Sequence, residues 1–140
     1  MPSSASLVGM TEGRQILLAD DDEQVQRAVA RVAEKNGYNV IHVTTGADVV
    51  SRAIETKPDL IVLDVLLPDA DGRELLAELK RDAKTAAIPV LLWSGRYRDS
   101  DREIALELGA EDFFEKGPAT ELETKIERIL LRISERMPVK

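Results

Sequence analysis

Apolar positions along the chain alternate between two spacings. Ile16 to Ala19 form a continuous apolar run of strand length, after which Val25, Ala28, Val29, Val32 and Ala33 recur at the spacing of one helix face. Gly37 is placed to end that helix, because glycine adopts the left-handed closing conformation without a steric cost. "YNVIHV" predicts a second strand, and Ala47 to Glu55 a second helix with Val49, Val50, Ala53 and Ile54 inward. "DLIVLD" reads as a third strand that is apolar until its last residue, as a strand covered on both faces should be. Gly72 to about Arg81 follows as a helix carrying Leu75, Leu76 and Leu79. "PVLLWSG" gives a fourth strand, "DSDREIALELG" a fourth helix, "DFFEK" a fifth strand, and Ala119 to about Met137 a final helix.

Strands that alternate with helices predict an α/β fold with a parallel sheet, since each parallel connection needs a crossover and crossovers are right-handed. Helices are then expected on both faces. Open sheets of this kind bind ligands beyond the carboxyl ends of their strands. The residues predicted at those ends are Asp20 and Asp21, Thr44 and Thr45, Asp64, Ser94, and Lys116. An acid pair, a further acid, a hydroxyl and an amine therefore converge on one crevice.

Composition narrows what that crevice serves. With 140 residues, 44% of them hydrophobic, the chain has material for one core of ordinary size. A formal charge of -7 argues against a general binder of phosphate backbones or anionic membranes. There is no cysteine, which excludes thiolate chemistry and permits a cytoplasmic location. The single histidine, His42, reads as structural or exposed and excludes a multi-histidine metal site within one chain. No apolar run approaches the roughly 20 residues of a membrane helix. Residues 1–13 lack the basic and apolar segments of a signal peptide and are expected to form a disordered tail before a domain spanning residues 14–137.

The sharpest feature is "ADDDEQV", where the first strand runs into three aspartates and a glutamate. Clustered like charges repel, increasingly so as water is excluded. Either these acids are a solvated helix start with Asp22 as N-cap, or they build a cation site. A second acidic stretch, "LPDADGRELLAE", places Asp69, Asp71, Gly72 and Glu78 at calcium-loop positions, but Leu67 stands where the first ligand is required. Trp93, next to Ser94, reads as a packing residue.

Taken together, "ILLADDDEQV", "PDLIVLDVLLPDADGRELL", "IPVLLWSG" and "GAEDFFEKGP" resemble the response-regulator receiver domain of two-component signalling, in order and from Ile16 to Leu130. The resemblance implies a flavodoxin-like, doubly wound five-stranded sheet in the order 2-1-3-4-5. It implies phosphoryl transfer from a histidine kinase or phosphotransfer protein onto Asp64, with Asp20 and Asp21 as the acid pair that holds Mg2+. Asp21, Asp64 and the backbone carbonyl of Leu66 are the expected direct ligands, with Asp20 acting mainly through water. Ser94 and Lys116 are expected to receive the phosphoryl oxygens, and Ser94 with Phe113 to form the switch.

The resemblance also implies a regulator and not a classical enzyme, catalysing only its own phosphotransfer and slow dephosphorylation. Its alternative is a binding module on the same fold that works without phosphorylation. A flavodoxin would need a hydroxyl- and glycine-rich loop after strand 1, and a haloacid-dehalogenase-like phosphatase a threonine after its aspartates, and "DDDEQ" supplies neither.

The chain departs from the family pattern in three places. Lysine is normally followed by proline, often through a cis bond, whereas here the order is Lys116, Gly117, Pro118. Gly95 stands in place of the usual alanine, and Phe113 where tyrosine is common. The side chains best placed to orient a hydrolytic water are Leu66 and Arg96, and neither suits the task. No effector domain is read after Leu130, so output is expected through the face of helix 4, strand 5 and helix 5, toward a protein partner or a second copy and without direct nucleic-acid or membrane contact. Leu122, Ile126, Ile129 and Ile133 make an apolar stripe on the final helix, whose turns after Leu130 are expected to project beyond the sheet and assist docking.

Overall fold

The computed structural model describes residues 14–95 and 98–136. The strands are β1 (Gln15–Ala19), β2 (Asn39–Val43), β3 (Leu60–Asp64), β4 (Val90–Ser94) and β5 (Asp112–Glu115). The helices are α1 (Glu23–Asn36), α2 (Gly46–Thr56), α3 (Gly72–Arg81), α4 (Asp99–Glu107) and α5 (Ala119–Arg136). All strands pair in parallel, in the order β2-β1-β3-β4-β5. This is the flavodoxin-like arrangement that the resemblance implies.

Alternation along the strands divides the core in two. Ile16 and Leu18 of β1 face the layer that holds Val25, Val29 and Val32 of α1 and Leu122, Ile126 and Ile129 of α5. Leu17 and Ala19 face the opposite layer, with Val49 and Ala53 of α2, Leu75, Leu76 and Leu79 of α3 and Ala105 of α4. β3 and β4 are buried along their whole length, whereas β2 is a largely exposed edge. Val50 and Ile54, expected inward on α2, are only half-buried, because the α2 stripe is narrower than its apolar content suggests.

Local chemistry sets the helix ends. Gly37 closes α1 at φ 75°, its neighbour Tyr38 donating to the Ala33 carbonyl. Lys57 closes α2 in the same left-handed region without being glycine, and Pro58 prevents the helix from continuing. Gly72, by contrast, is required by space. A Cβ there would lie 2.5 Å from the Asp64 carbonyl oxygen and 2.8 Å from the Val65 Cα, while the Gly72 N–H donates to the Val65 carbonyl at 2.7 Å. We therefore expect Gly72→Ala to cost about 2 kcal/mol or more, the range of overpacking in a rigid site. Urea unfolding of the two proteins would measure it.

The end of α5 corrects the expectation drawn from its stripe. Leu130 and Ile133 are both buried, so the turns after Leu130 stay docked instead of projecting. Arg132 and Arg136 add ion pairs to Glu111, which leads into β5. A single strand length underestimates the support, since the segments leading into β3, β4 and β5 extend the surface under the helix. Leu131 is an exposed apolar residue there, and Met137 lies outside the described residues. Residues 1–13, read as a tail, lie outside them as well. No helix among the described residues is long and apolar enough to cross a membrane.

Candidate functional site

Strand register builds the site. Ala19 pairs with Leu63, which puts Asp20 level with Asp64 on the next strand. Asp64 pairs with Trp93, and Ser94 with Glu115, so Ser94 and Lys116 follow at the same end of the sheet. The ladder continues past the strands: Val65 N–H donates to the Trp93 carbonyl at 3.0 Å, and Lys116 N–H to the Ser94 carbonyl at 2.8 Å. Asp20, Asp64, Ser94 and Lys116, distant in sequence, are thereby brought to one place.

The acidic run divides into four environments. Asp20 is fully buried, and Asp21 is exposed beside it. Asp22 is the N-cap of α1, accepting from the Gln24 N–H at 2.8 Å, and Glu23 lies in the first helical turn facing Arg27. Asp22 and Glu23 thus form the helix start, whereas Asp20 and Asp21 stand apart from it, beside Asp64. One oxygen from each of Asp20, Asp21 and Asp64 lies within 4.8 Å of the others. Three carboxylates with no nitrogen or sulfur donor make a hard oxygen set, which fits Mg2+ or a similar divalent ion.

Lys116 is the positive centre of the cluster. Its ammonium donates to Asp20 Oδ2 at 2.9 Å and to Asp64 Oδ2 at 3.0 Å. Burial opposes its charge, but the hydrogen bonds to Asp20 and Asp64 outweigh burial and hold its pKa above the ordinary lysine value. Burial is also the main influence on Asp20 and pushes its carboxyl up; the Asp22 N–H and Lys116 oppose that, and the charge of Asp64 adds to it. The other oxygen of Asp64, Oδ1, accepts from the Leu66 N–H at 3.0 Å.

Ser94 and Phe113 are buried, and Gly95 has open space where a Cβ would lie. There is no cis peptide bond among the described residues, and the backbone continues from Lys116 through Gly117 and Pro118 into α5. The Leu66 side chain is exposed at 61% beside the cluster, and Arg96 lies outside the described residues. Thr44 is exposed, and Thr45 is the residue before α2.

Three residues have roles that the sequence did not reveal. Trp93 is fully buried, yet its indole Nε1–H donates to Asp20 Oδ2 at 3.0 Å, so it is more than a packing residue. His42 Nε2 donates to the Asp20 backbone carbonyl at 2.8 Å, with Gln26 donating to the same oxygen at 3.1 Å. Asp69 caps α2 from the loop after β3, accepting from the Gly46 N–H at 2.6 Å and the Ala47 N–H at 3.2 Å. Those bonds, the Gly46 one foremost, hold its carboxyl below the usual range. Asp71 N-caps α3. Two acids of the possible calcium loop, Asp69 and Asp71, are thus committed to helix termini.

The chain matches the response regulator receiver domain across residues 16–127, and it belongs to that family. Among curated relatives it is 35% identical over 121 residues to the transcriptional regulatory protein GltR of Pseudomonas aeruginosa, covering 86% of this chain and 50% of GltR. It is 34% identical over 122 residues to the phosphate regulon transcriptional regulatory protein PhoB of Escherichia coli, covering 86% of this chain and 53% of PhoB. The chain thus spans about half the length of the curated relatives it matches.

Similar solved structures include the Mn2+-bound form of response regulator Rcp1, at 26% identity and TM-score 0.74, covering 91% of this chain and 99% of Rcp1. They also include the BeF3-activated receiver domain of Klebsiella pneumoniae RstA, at 26% identity and TM-score 0.72, covering 89% of this chain and all of that one. Domains of this family are regulatory components of two-component systems, interact with histidine kinases or phosphotransfer proteins, and are switched by phosphorylation.

Proposed function

We propose that this chain accepts a phosphoryl group on Asp64 from a histidine kinase or phosphotransfer protein and signals through a conformational switch. The observation that carries the reading is the Lys116 ammonium bridging Asp20 and Asp64 at the carboxyl end of the sheet. An Asp64 oxygen attacks phosphorus, a P–O bond forms, and the P–N bond of the donor breaks with its electron pair going to the imidazole nitrogen. Lys116 and the Ser94 hydroxyl receive the phosphoryl oxygens. Lys116 exchanges its contact with Asp64 for one with the phosphoryl group, so charge stays balanced as the acyl phosphate forms.

Asp21, Asp64 and the Leu66 carbonyl would hold Mg2+ directly, with Asp20 acting through water. The Mn2+-bound form of the similar response regulator Rcp1 supports divalent-cation binding by a chain of this fold. When bound, the ion offsets negative charge on the transferred group. Asp20 suits an indirect role, because its own oxygens already accept from Asp22, Trp93 and Lys116.

Output is assigned to the face of α4, β5 and α5, where Ser94 and Phe113 couple to the phosphoryl group as two packings. Ile104 and Leu106 of α4 and Leu108 just after it are exposed, which supports a protein contact or self-association there. The acidic balance of the chain supports output without direct nucleic-acid contact.

Intact-mass spectrometry after incubation with acetyl phosphate and Mg2+ tests the proposal: one phosphate should be added, and EDTA should prevent it. Finding no adduct under conditions that label another receiver would reject the reading. The same assay measures the lifetime of the acyl phosphate. In-line hydrolysis needs an oriented water, and neither Leu66 nor Arg96 is suited to orient one, the first lacking a polar group and the second being a bulky cation. The expected lifetime is therefore long, and a half-life of only seconds would contradict it.

A further inference from the structure

The contact between Trp93 and Asp20 has a feature that packing alone does not require. β3 lies between β1 and β4, so the indole reaches Asp20 across the width of a strand, a span of about 9.6 Å at ordinary strand spacing. It does so within the α1/α5 layer, alongside Leu18 and Val62. Its N–H ends on Oδ2, the same oxygen that accepts the Lys116 ammonium, while Oδ1 is held by the Asp22 N–H at 2.8 Å. A buried carboxylate is costly unless its lone pairs are satisfied.

We propose that Trp93 is a positioning residue for the acid pair: its indole N–H fixes the Asp20 carboxylate and keeps Oδ2 paired when Lys116 turns to the phosphoryl group. The inference rests on the phosphoryl-acceptor reading of Asp64 and adds a role for β4 that Asp64, Ser94 and Lys116 do not supply. Trp93 is fully buried and has no solvent to replace its acceptor, so it remains a fixed neutral donor while the ammonium is mobile. Without that donor, Oδ2 depends on Lys116 alone. Asp20 then loses its orientation toward the cation, and Lys116 is held back from Asp64. Partners of this kind typically alter metal affinity by about 10-fold or more when removed.

The test uses the chain's single tryptophan. In the 15N-labelled wild-type protein the indole N–H gives one cross-peak, which should move during titration with MgCl2 alone and share the half-saturation point of the backbone amides around Asp64. Trp93→Phe should raise that half-saturation concentration about 10-fold. Biosynthetic replacement of the indole by benzothiophene keeps the ring shape and removes only the donor, and it should reproduce the Trp93→Phe effect. It also serves where Trp93→Phe fails to fold.

An unchanged half-saturation in the benzothiophene protein overturns the proposal, as does an indole cross-peak that stays still while the Asp64 amides shift. A defect in Trp93→Phe that the benzothiophene protein lacks assigns the effect to packing and overturns it too. Failure of the wild-type protein to bind Mg2+ or take phosphate would instead reject the underlying function, and the role of Trp93 with it.

Discussion

Asp64→Asn is expected to reduce phosphorylation by acetyl phosphate and Mg2+ to background. Asparagine keeps the shape of the side chain and an oxygen able to accept from the Leu66 N–H, a contact of 3.0 Å in the native protein. What it lacks is a carboxylate nucleophile, because the amide oxygen is a poor attacking group and its nitrogen only donates. Lys116 retains Asp20 as an ion-pair partner at 2.9 Å, so the fold should survive the change and the loss should be one of chemistry. Intact-mass spectrometry with a thermal melt of the same sample separates the two. Uptake of phosphate by Asp64→Asn at the wild-type rate would show that another residue is the acceptor.

Removing the ammonium acts on stability as well as on signalling. In Lys116→Ala, Asp20 and Asp64 remain buried side by side without their counter-ion, and breaking such a pair from one side costs about 3 kcal/mol at neutral pH. The sign of the pH dependence follows from the two groups. Lys116 has a folded-state pKa above its ordinary 10.5, so its contribution is fully present below 10.5 and is lost only as pH rises through the folded value.

Asp20 is held above its ordinary 3.8 by burial, so its ionisation weakens the fold at pH above the folded value, and that cost disappears as pH falls below 3.8. Loss of Lys116 raises this cost, and the deficit of the variant should be largest at neutral pH and shrink in acid. Mg2+ should stabilise the variant itself, by about 1.4 kcal/mol at ten times its dissociation constant. Urea unfolding of both proteins at pH 7 and pH 4, and of the variant with and without Mg2+, measures these effects, and a deficit that is flat between the two pH values would refute the account. Cation binding is expected to persist in the variant, while phosphorylation no longer changes the face of α4, β5 and α5.

Much of this molecule was readable from residue order. The continuous apolar runs "ILLA" and "LIVL" and the helix spacing of Val25, Ala28, Val29 and Val32 report which side chains must leave water, and the observed burial follows them. Asp22 as an N-cap and Gly37 as a terminator were legible because each acts on a backbone group within a few residues of itself. The convergence of Asp20, Asp64, Ser94 and Lys116 could be anticipated because each stands where an apolar strand ends. Parallel strands in register bring such ends together.

Contacts across the chain behaved differently. Nothing in "LLWSG" says that the indole of Trp93 finds Asp20, since that depends on β3 lying between β1 and β4 and on Trp93 facing the α1/α5 layer. Asp69 reads as a loop acid or a calcium ligand until the loop after β3 is seen folded over the start of α2. Ile133 belonged to a visible stripe, but whether its turn is covered depended on how far the segments leading into the strands extend beneath the helix. Apolar spacing and local capping are properties of neighbouring residues, so the sequence by itself determined the elements, their order and the identity of the acids at the strand ends. Which donor meets which carboxylate is decided by strand order, register and layer, and only the tertiary structure could place Trp93, Lys116 and the Asp22 amide around one buried aspartate.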